Sequence, residues 1–216
     1  MSPDSSAAPP APIPPPEVLA EASARDLALL RTPMASAYRE RFVALLRALS
    51  YQQREVVLSS GRRSNFYIDC KQAVLTAEGH FLTGWLVGHV IAQVAPDAVA
   101  LGGLTMGADP IASAVATLSF LGGRAPLNAF YLRKEPKGHG TQRWLEGERG
   151  APPGAPVVIV EDVVTTGAST LAAVERARAH GLLIRHVIAL CDREEGGRAA
   201  VEAVVPMTAL CRRGDF

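Results

Sequence analysis

Val157-Val158-Ile159-Val160-Glu161-Asp162-Val163-Val164-Thr165-Thr166-Gly167-Ala168-Ser169-Thr170 decides the reading of this chain. The run has an apolar β-branched strand, two acids, a loop of hydroxyl and glycine residues, and the start of a helix. Consecutive apolar residues suit a strand covered on both faces, as in a parallel sheet. In open α/β sheets, ligands bind beyond the carboxyl ends of the strands. A loop running into a helix N-terminus offers free backbone N–H groups and a favourable dipole to a phosphate. Thr165, Thr166, Ser169 and Thr170 add hydroxyl donors, and Gly167 lets the backbone approach closely. Glu161 and Asp162 suit another task, accepting hydrogen bonds from vicinal hydroxyls or holding Mg²⁺ through water. A sugar phosphate satisfies both ends of the run. Taken singly, these residues read better as solvated acids and a helix-capping serine. The order of the whole run is what points to a ligand. Neither a Walker loop nor Gly-x-Gly-x-x-Gly is present.

Outward from this run, Ser169 to His180 reads as a helix stopped by Gly181, and Ile184 to Leu190 as a buried strand. Upstream, Ala98–Leu101 and Leu127–Leu132 read as strands. Between them lies a helix started by Asp109 as cap and Pro110 in the first turn, and ended by Gly122-Gly123. A helix is expected from Thr76 to Ala95, stopped by Pro96. Phe42, Leu45, Leu46 and Leu49 follow Tyr38 at helical spacing. Val56–Leu58 and Phe66–Ile68 read as short strands around Ser59-Ser60-Gly61. Alternating strands and helices imply an α/β fold with a central, mostly parallel sheet flanked by helices. Residues 2–16 are almost entirely Pro, Ala and Ser, a composition that cannot offset its ordering entropy. Residues 1–34 are therefore expected to be a disordered or partly helical tail, and 35–216 one domain.

The composition excludes several classes. A chain of 216 residues with 48% hydrophobic content can build one real core. A net charge of +1 argues against a general nucleic-acid binder, so any anion site is local. Cys70, Cys191 and Cys211 lie far apart in the chain, form no CxxC pair, and fit a reducing cytoplasm better than a disulfide framework. Thr83, His89 and Gln93 interrupt the longest apolar stretch, Phe81 to Val94, so no membrane span is expected. The N-terminus has neither the basic patch nor the apolar run of a signal peptide.

A second cluster lies in Arg133-Lys134-Glu135-Pro136-Lys137-Gly138-His139-Gly140. Four potential cations within seven residues, among glycines, suit a mobile loop that closes over an anion and excludes water. The plain alternative is a solvated charged loop.

The Val157–Thr170 run resembles the phosphoribosyl pyrophosphate (PRPP) signature of type I phosphoribosyltransferases. Three further segments narrow the resemblance to the orotate phosphoribosyltransferase family over about Ala35 to Phe216. They are Ser60-Gly61-Arg62-Arg63-Ser64-Asn65-Phe66-Tyr67-Ile68-Asp69, the Arg133–Gly140 segment, and Asp192-Arg193. The resemblance implies transfer of the phosphoribosyl group of PRPP to orotate with Mg²⁺, a small hood subdomain, a mobile catalytic loop, and a homodimer with shared active sites. It gives Arg133, Lys134, Lys137 and His139 contacts to the pyrophosphate, with Lys134, Lys137, His139 and Asp162 as the catalytic set. It gives Glu161, Asp162, Val163, Val164, Thr165, Thr166, Gly167, Ala168 and Ser169 to PRPP, the two acids also facing the metal through water. Tyr67, Ile68, Thr165 and Arg193 are expected at orotate, where a guanidinium matches a carboxylate or ring carbonyl.

Two positions depart from the pattern. Met106 and Ser59 stand where many family members carry lysine, and the amides of Thr105 to Gly107 remain available to an anion. The rival readings are a phosphoribosyltransferase for another base and a non-catalytic PRPP sensor. The near-neutral charge and the lack of a helix-turn-helix pattern count against the sensor.

Overall fold

The computed structural model describes residues 15–54, 56–57, 63–122, 125–135 and 144–216. The described residues open with two helices, α1 (Pro16–Ala28) and α2 (Pro33–Leu49). The Thr32 hydroxyl caps α2 by accepting from the Ala35 amide at 3.3 Å. The domain boundary expected at residue 35 thus falls inside α2. Ala22, Ser23 and Asp26 of α1 are buried, so the packed body reaches further back than composition suggested.

Four two-residue strands come next: β1 (Tyr51–Gln52), β2 (Val56–Val57), β3 (Arg63–Ser64) and β4 (Tyr67–Ile68). The expected pairing of 56–58 with 66–68 is corrected here. Antiparallel β2 pairs with β3, and β4 pairs with β1, Tyr51 facing Ile68. That register sets Tyr51 against buried Phe66, ring centres 5.1 Å apart, with the C-terminal Phe216 5.6 Å from Phe66. Burial of these rings selects the partner, and alternation along a short segment carries no such information.

A short α3 (Lys71–Val74) leads into α4 (Ala77–Val94), capped by the Thr76 hydroxyl and close to the expected span. Then follow β5 (Ala100–Leu104), α5 (Asp109–Leu121), β6 (Asn128–Leu132) and β7 (Leu145–Glu146). Asp109 occupies the first turn of α5, while the cap position is Ala108, which makes no side-chain cap bond. A carboxylate there still meets the positive end of the helix dipole. The last elements are β8 (Pro156–Val164), α6 (Ala168–Ala179), β9 (Leu183–Asp192), α7 (Gly197–Glu202) and β10 (Met207–Arg212).

The main sheet runs β10-β9-β8-β5-β6-β7, parallel except for the β6–β7 pair. Along β8, Val158 and Val160 face one core with Phe42, Leu86 and Ile111, while Val157 and Ile159 face another with Val174 and Ala177. Helices therefore cover both faces, which is why the strand is apolar without alternation. From β5 the chain passes to β6 on one side and returns through β8 on the other. This reversal opens a crevice between the carboxyl ends of β5 and β8. No described helix is long and apolar enough to cross a membrane. The three cysteines are free and buried, and Cys191 lies directly beside Cys211 across β9 and β10.

Candidate active site

At the end of β8 the two acids take different environments. Glu161 is only 6% exposed, and its Oε2 accepts from Ser169 Oγ at 2.9 Å and Thr170 Oγ1 at 3.2 Å. Burial, and next the neighbouring Asp162 charge, push its carboxyl up to about 7. Two of the four hydroxyls expected to meet a phosphate, those of Ser169 and Thr170, thus turn toward Glu161. Asp162 is half-buried. Its Oδ1 accepts from the Val163 amide at 2.9 Å, and its Oδ2 lies 3.3 Å from Lys71 Nζ.

Beyond them, Thr165, Thr166 and Gly167 carry the chain into α6. Gly167 takes φ +82° at the helix cap, a conformation that favours glycine. Ala168 and Ser169 then open the helix exposed, while Val164 is buried beneath. The loop is braced from the β9 side, the Arg193 amide bonding to Val164 O and the Gly197 amide to Thr165 O, each at 3.0 Å. From the β5 side, Gly107 lies so close that a Cβ there would stand 2.6 Å from Asp162 Oδ1. The loop after β5, where Thr105–Met106 is a cis peptide, therefore meets the acids of β8.

The segments expected at the base also converge. Arg193 is buried, donates to Phe66 O at 2.8 Å and pairs with Glu195 at 2.9 Å. This ties the turn after β9 to the residue preceding Tyr67. Tyr67 is half-buried with the Arg54 guanidinium 4.0 Å above its ring, and Ile68 is buried.

At the start of the basic segment, Arg133 forms a two-nitrogen contact with Glu146, at 2.9 and 2.6 Å. Its carbonyl accepts from Arg176 Nη1 at 2.7 Å, and Arg176 stacks 4.6 Å from the Trp144 ring. These contacts anchor the base of the segment, and Lys134 beyond them is exposed. Lys137, His139 and Ser59 lie outside the described residues.

No protein-family model matches the sequence. Individual relatives do. The chain is 55% identical over 179 residues to an orotate phosphoribosyltransferase of Sorangium cellulosum, covering 82% of this chain and 92% of that one. The chain belongs to the orotate phosphoribosyltransferase family. Among solved structures, the Mycobacterium tuberculosis enzyme of this family with Fe(III) dicitrate is 35% identical at a TM-score of 0.69, covering 82% of this chain and 98% of that one. The same enzyme in complex with PRPP is 30% identical at a TM-score of 0.65, covering 83% and 91%. Membership accounts for the fold, a type I phosphoribosyltransferase sheet with helices on both faces.

One residue of this crevice escaped the sequence reading, Lys71. The signal for Lys71 was a cation two positions past Asp69, just after the Tyr67-Ile68 pair.

Proposed function

We propose that this chain transfers the phosphoribosyl group of PRPP to a ring nitrogen of orotate, releasing pyrophosphate and forming orotidine 5′-monophosphate. The observation that carries the reading is the paired acid loop of β8 braced by the Arg193 turn, in a chain 55% identical to an orotate phosphoribosyltransferase. The loop from Thr165 to Ser169 binds the phosphate end of PRPP through its amides and the positive end of α6. Asp162 accepts hydrogen bonds from the ribose hydroxyls, with Glu161 behind it. The C1–O bond to pyrophosphate breaks as the base nitrogen bonds to C1 and gives up its proton to water, with cationic character building on the ribose and negative charge on the departing group in the transition state. Arg133, Lys134, Lys137 and His139 donate to that charge as it develops and lower the barrier. Tyr67 and Ile68 line the base, and Thr165 and Arg193 recognise its polar edge.

Glu161 and Asp162 suit Mg²⁺ only in part. The described residues contain no cluster of three or more ligating side chains, so a metal held here would keep mostly water and substrate oxygens. Asp162 and Glu161 would orient it through water, and its chemistry would be to neutralise the leaving pyrophosphate. A run as polar as Arg133–Gly140 gains little by packing on its own domain and is best used across a twofold axis, so we propose a homodimer with shared sites. Buried free thiols fit a reducing compartment, and we propose the cytoplasm.

Incubation with PRPP, Mg²⁺ and a panel of orotate, uracil, adenine and hypoxanthine tests the reading. Orotidine 5′-monophosphate should form at least a hundred times faster than any other nucleotide. Faster turnover of another base would replace orotate as the substrate, and no turnover of any would favour a sensor.

A further inference from the structure

Lys71 opens α3, immediately beyond the segment assigned to the base. Its ammonium lies 2.8 Å from Asp69 Oδ1 and 3.3 Å from Asp162 Oδ2, and the side chain is 36% exposed. The two carboxylates come from different parts of the crevice, Asp69 after β4 and Asp162 at the end of β8. Gly107 packs against the same Asp162 carboxylate. Next to it stands Met106, 70% exposed and uncharged. A cation therefore reaches the junction of the two phosphate-side loops from α3, where the β5 loop itself brings none between Thr105 and Gly107.

The chemistry of PRPP makes this position useful. Its pyrophosphate is carried on C1, next to the C2 hydroxyl, so a carboxylate that accepts from ribose hydroxyls stands beside the leaving group. A four-carbon stem can move its ammonium several ångströms without moving the backbone. Lys71 can keep Asp69 while its ammonium turns from Asp162 toward pyrophosphate oxygens, with or without a ribose to take its place at Asp162. We propose that Lys71 is a pyrophosphate-binding residue of this crevice and supplies the cation that position 106 lacks. It donates hydrogen bonds and transfers no proton. The inference rests on the phosphoribosyl reading above.

Inorganic pyrophosphate and orotate are titrated separately, with Mg²⁺, into the full chain and into Lys71→Gln, Lys71→Arg and Lys71→Gln/Met106→Lys. Lys71→Gln should bind pyrophosphate at least tenfold more weakly and orotate within twofold of the parent. Lys71→Arg should stay within about threefold for both, by keeping the charge. Met106→Lys in the Lys71→Gln background should recover most of the lost pyrophosphate affinity. Unchanged pyrophosphate binding by Lys71→Gln would overturn the proposal. So would an equal loss for both ligands, which marks a structural role, or no recovery on adding Met106→Lys. If Lys71→Gln does not fold, Lys71→Arg/Met106→Lys replaces it, and affinity no tighter than in Lys71→Arg alone overturns the proposal. A parent chain that binds no pyrophosphate or PRPP would strike the phosphoribosyl reading itself, an outcome visible before any variant is made.

Discussion

Asp26 of α1 is ion-paired with Arg198 of α7, 172 positions further along the chain, and both side chains are buried. Asp26 also accepts from the Ala209 amide at 3.2 Å, and Arg198 Nε donates to Asp192 at 2.8 Å. The helix before the expected domain thus covers the β10 edge and ends in a charge network that touches the residue next to Arg193.

Breaking a buried pair by removing one partner costs about 3–5 kcal/mol, because the remaining charge is left uncompensated. Asp26→Ala should therefore lower the melting temperature by roughly 10 °C or more. Deleting residues 2–14, by contrast, should leave melting and activity nearly unchanged, since their composition supplies little to a core. Thermal melts of both variants decide the matter, and an Asp26→Ala melt within 2 °C of the parent would remove α1 from the folded unit.

Gly107 touches the Asp162 carboxylate with no room for a side chain. Gly107→Ala forces either the loop or Asp162 to move, because the new Cβ would sit 2.6 Å from Oδ1. Displacements of about 1 Å at a reacting site can cost on the order of 100-fold in rate. Steady-state kinetics should show kcat/KM for PRPP falling by roughly 10- to 100-fold with little change in melting temperature. Full activity would mean that Asp162 does not need its present position.

Glu161 gives stability a pH dependence of definite sign. Its folded-state value of about 7 exceeds the ordinary 4.5, so the folded chain holds an extra proton between them. The contribution is complete below about pH 4.5 and is lost as pH rises through about 7. His186 works the other way. Burial, and next the Arg198 charge, lower its pKa to about 4, so its contribution is present above about pH 6.5 and lost as pH falls through 4. Comparing Glu161→Gln with the parent isolates the first effect. Between pH 4.5 and 8 the variant's melting temperature should rise relative to the parent's, and parallel curves would refute the buried, proton-holding Glu161.

Mixed dimers test whether sites are shared. A Lys134→Ala subunit lacks a working loop, and an Asp162→Asn subunit lacks a working body. If each loop serves its neighbour, the mixed dimer has one complete site. Random exchange should then restore activity at roughly a quarter of all sites. Activity that stays at the level of the separate mutants, despite proven exchange, would confine each loop to its own subunit.

Legibility followed the range of the forces involved. The strand, loop and helix from Val157 to Thr170 were readable because apolar runs, turn residues and helix starts act over a few positions. The same holds for α4 and for the β5 and β6 strands, placed within a few residues of their observed ends. The pairing of β1 with β4 was not readable, because burial of Phe66 against Tyr51 and Phe216 selects it. Partial helix was expected where α1 lies, but its docking was not readable, because that depends on one buried charge finding Arg198.

By itself, the sequence determined that this chain builds a parallel sheet covered on both faces, with two acids and a hydroxyl-rich loop at one strand end. Those features are written in residue order, and any parallel α/β packing delivers them to the carboxyl edge of the sheet. Only the tertiary structure decided which charges meet there. Lys71 reaches Asp162 across 91 positions, Arg193 reaches the Phe66 carbonyl across 127, and Asp26 reaches Arg198 across 172. Such pairs have no period along the chain. They form because folding removes water from each group, and a buried charge is tolerated only beside its partner.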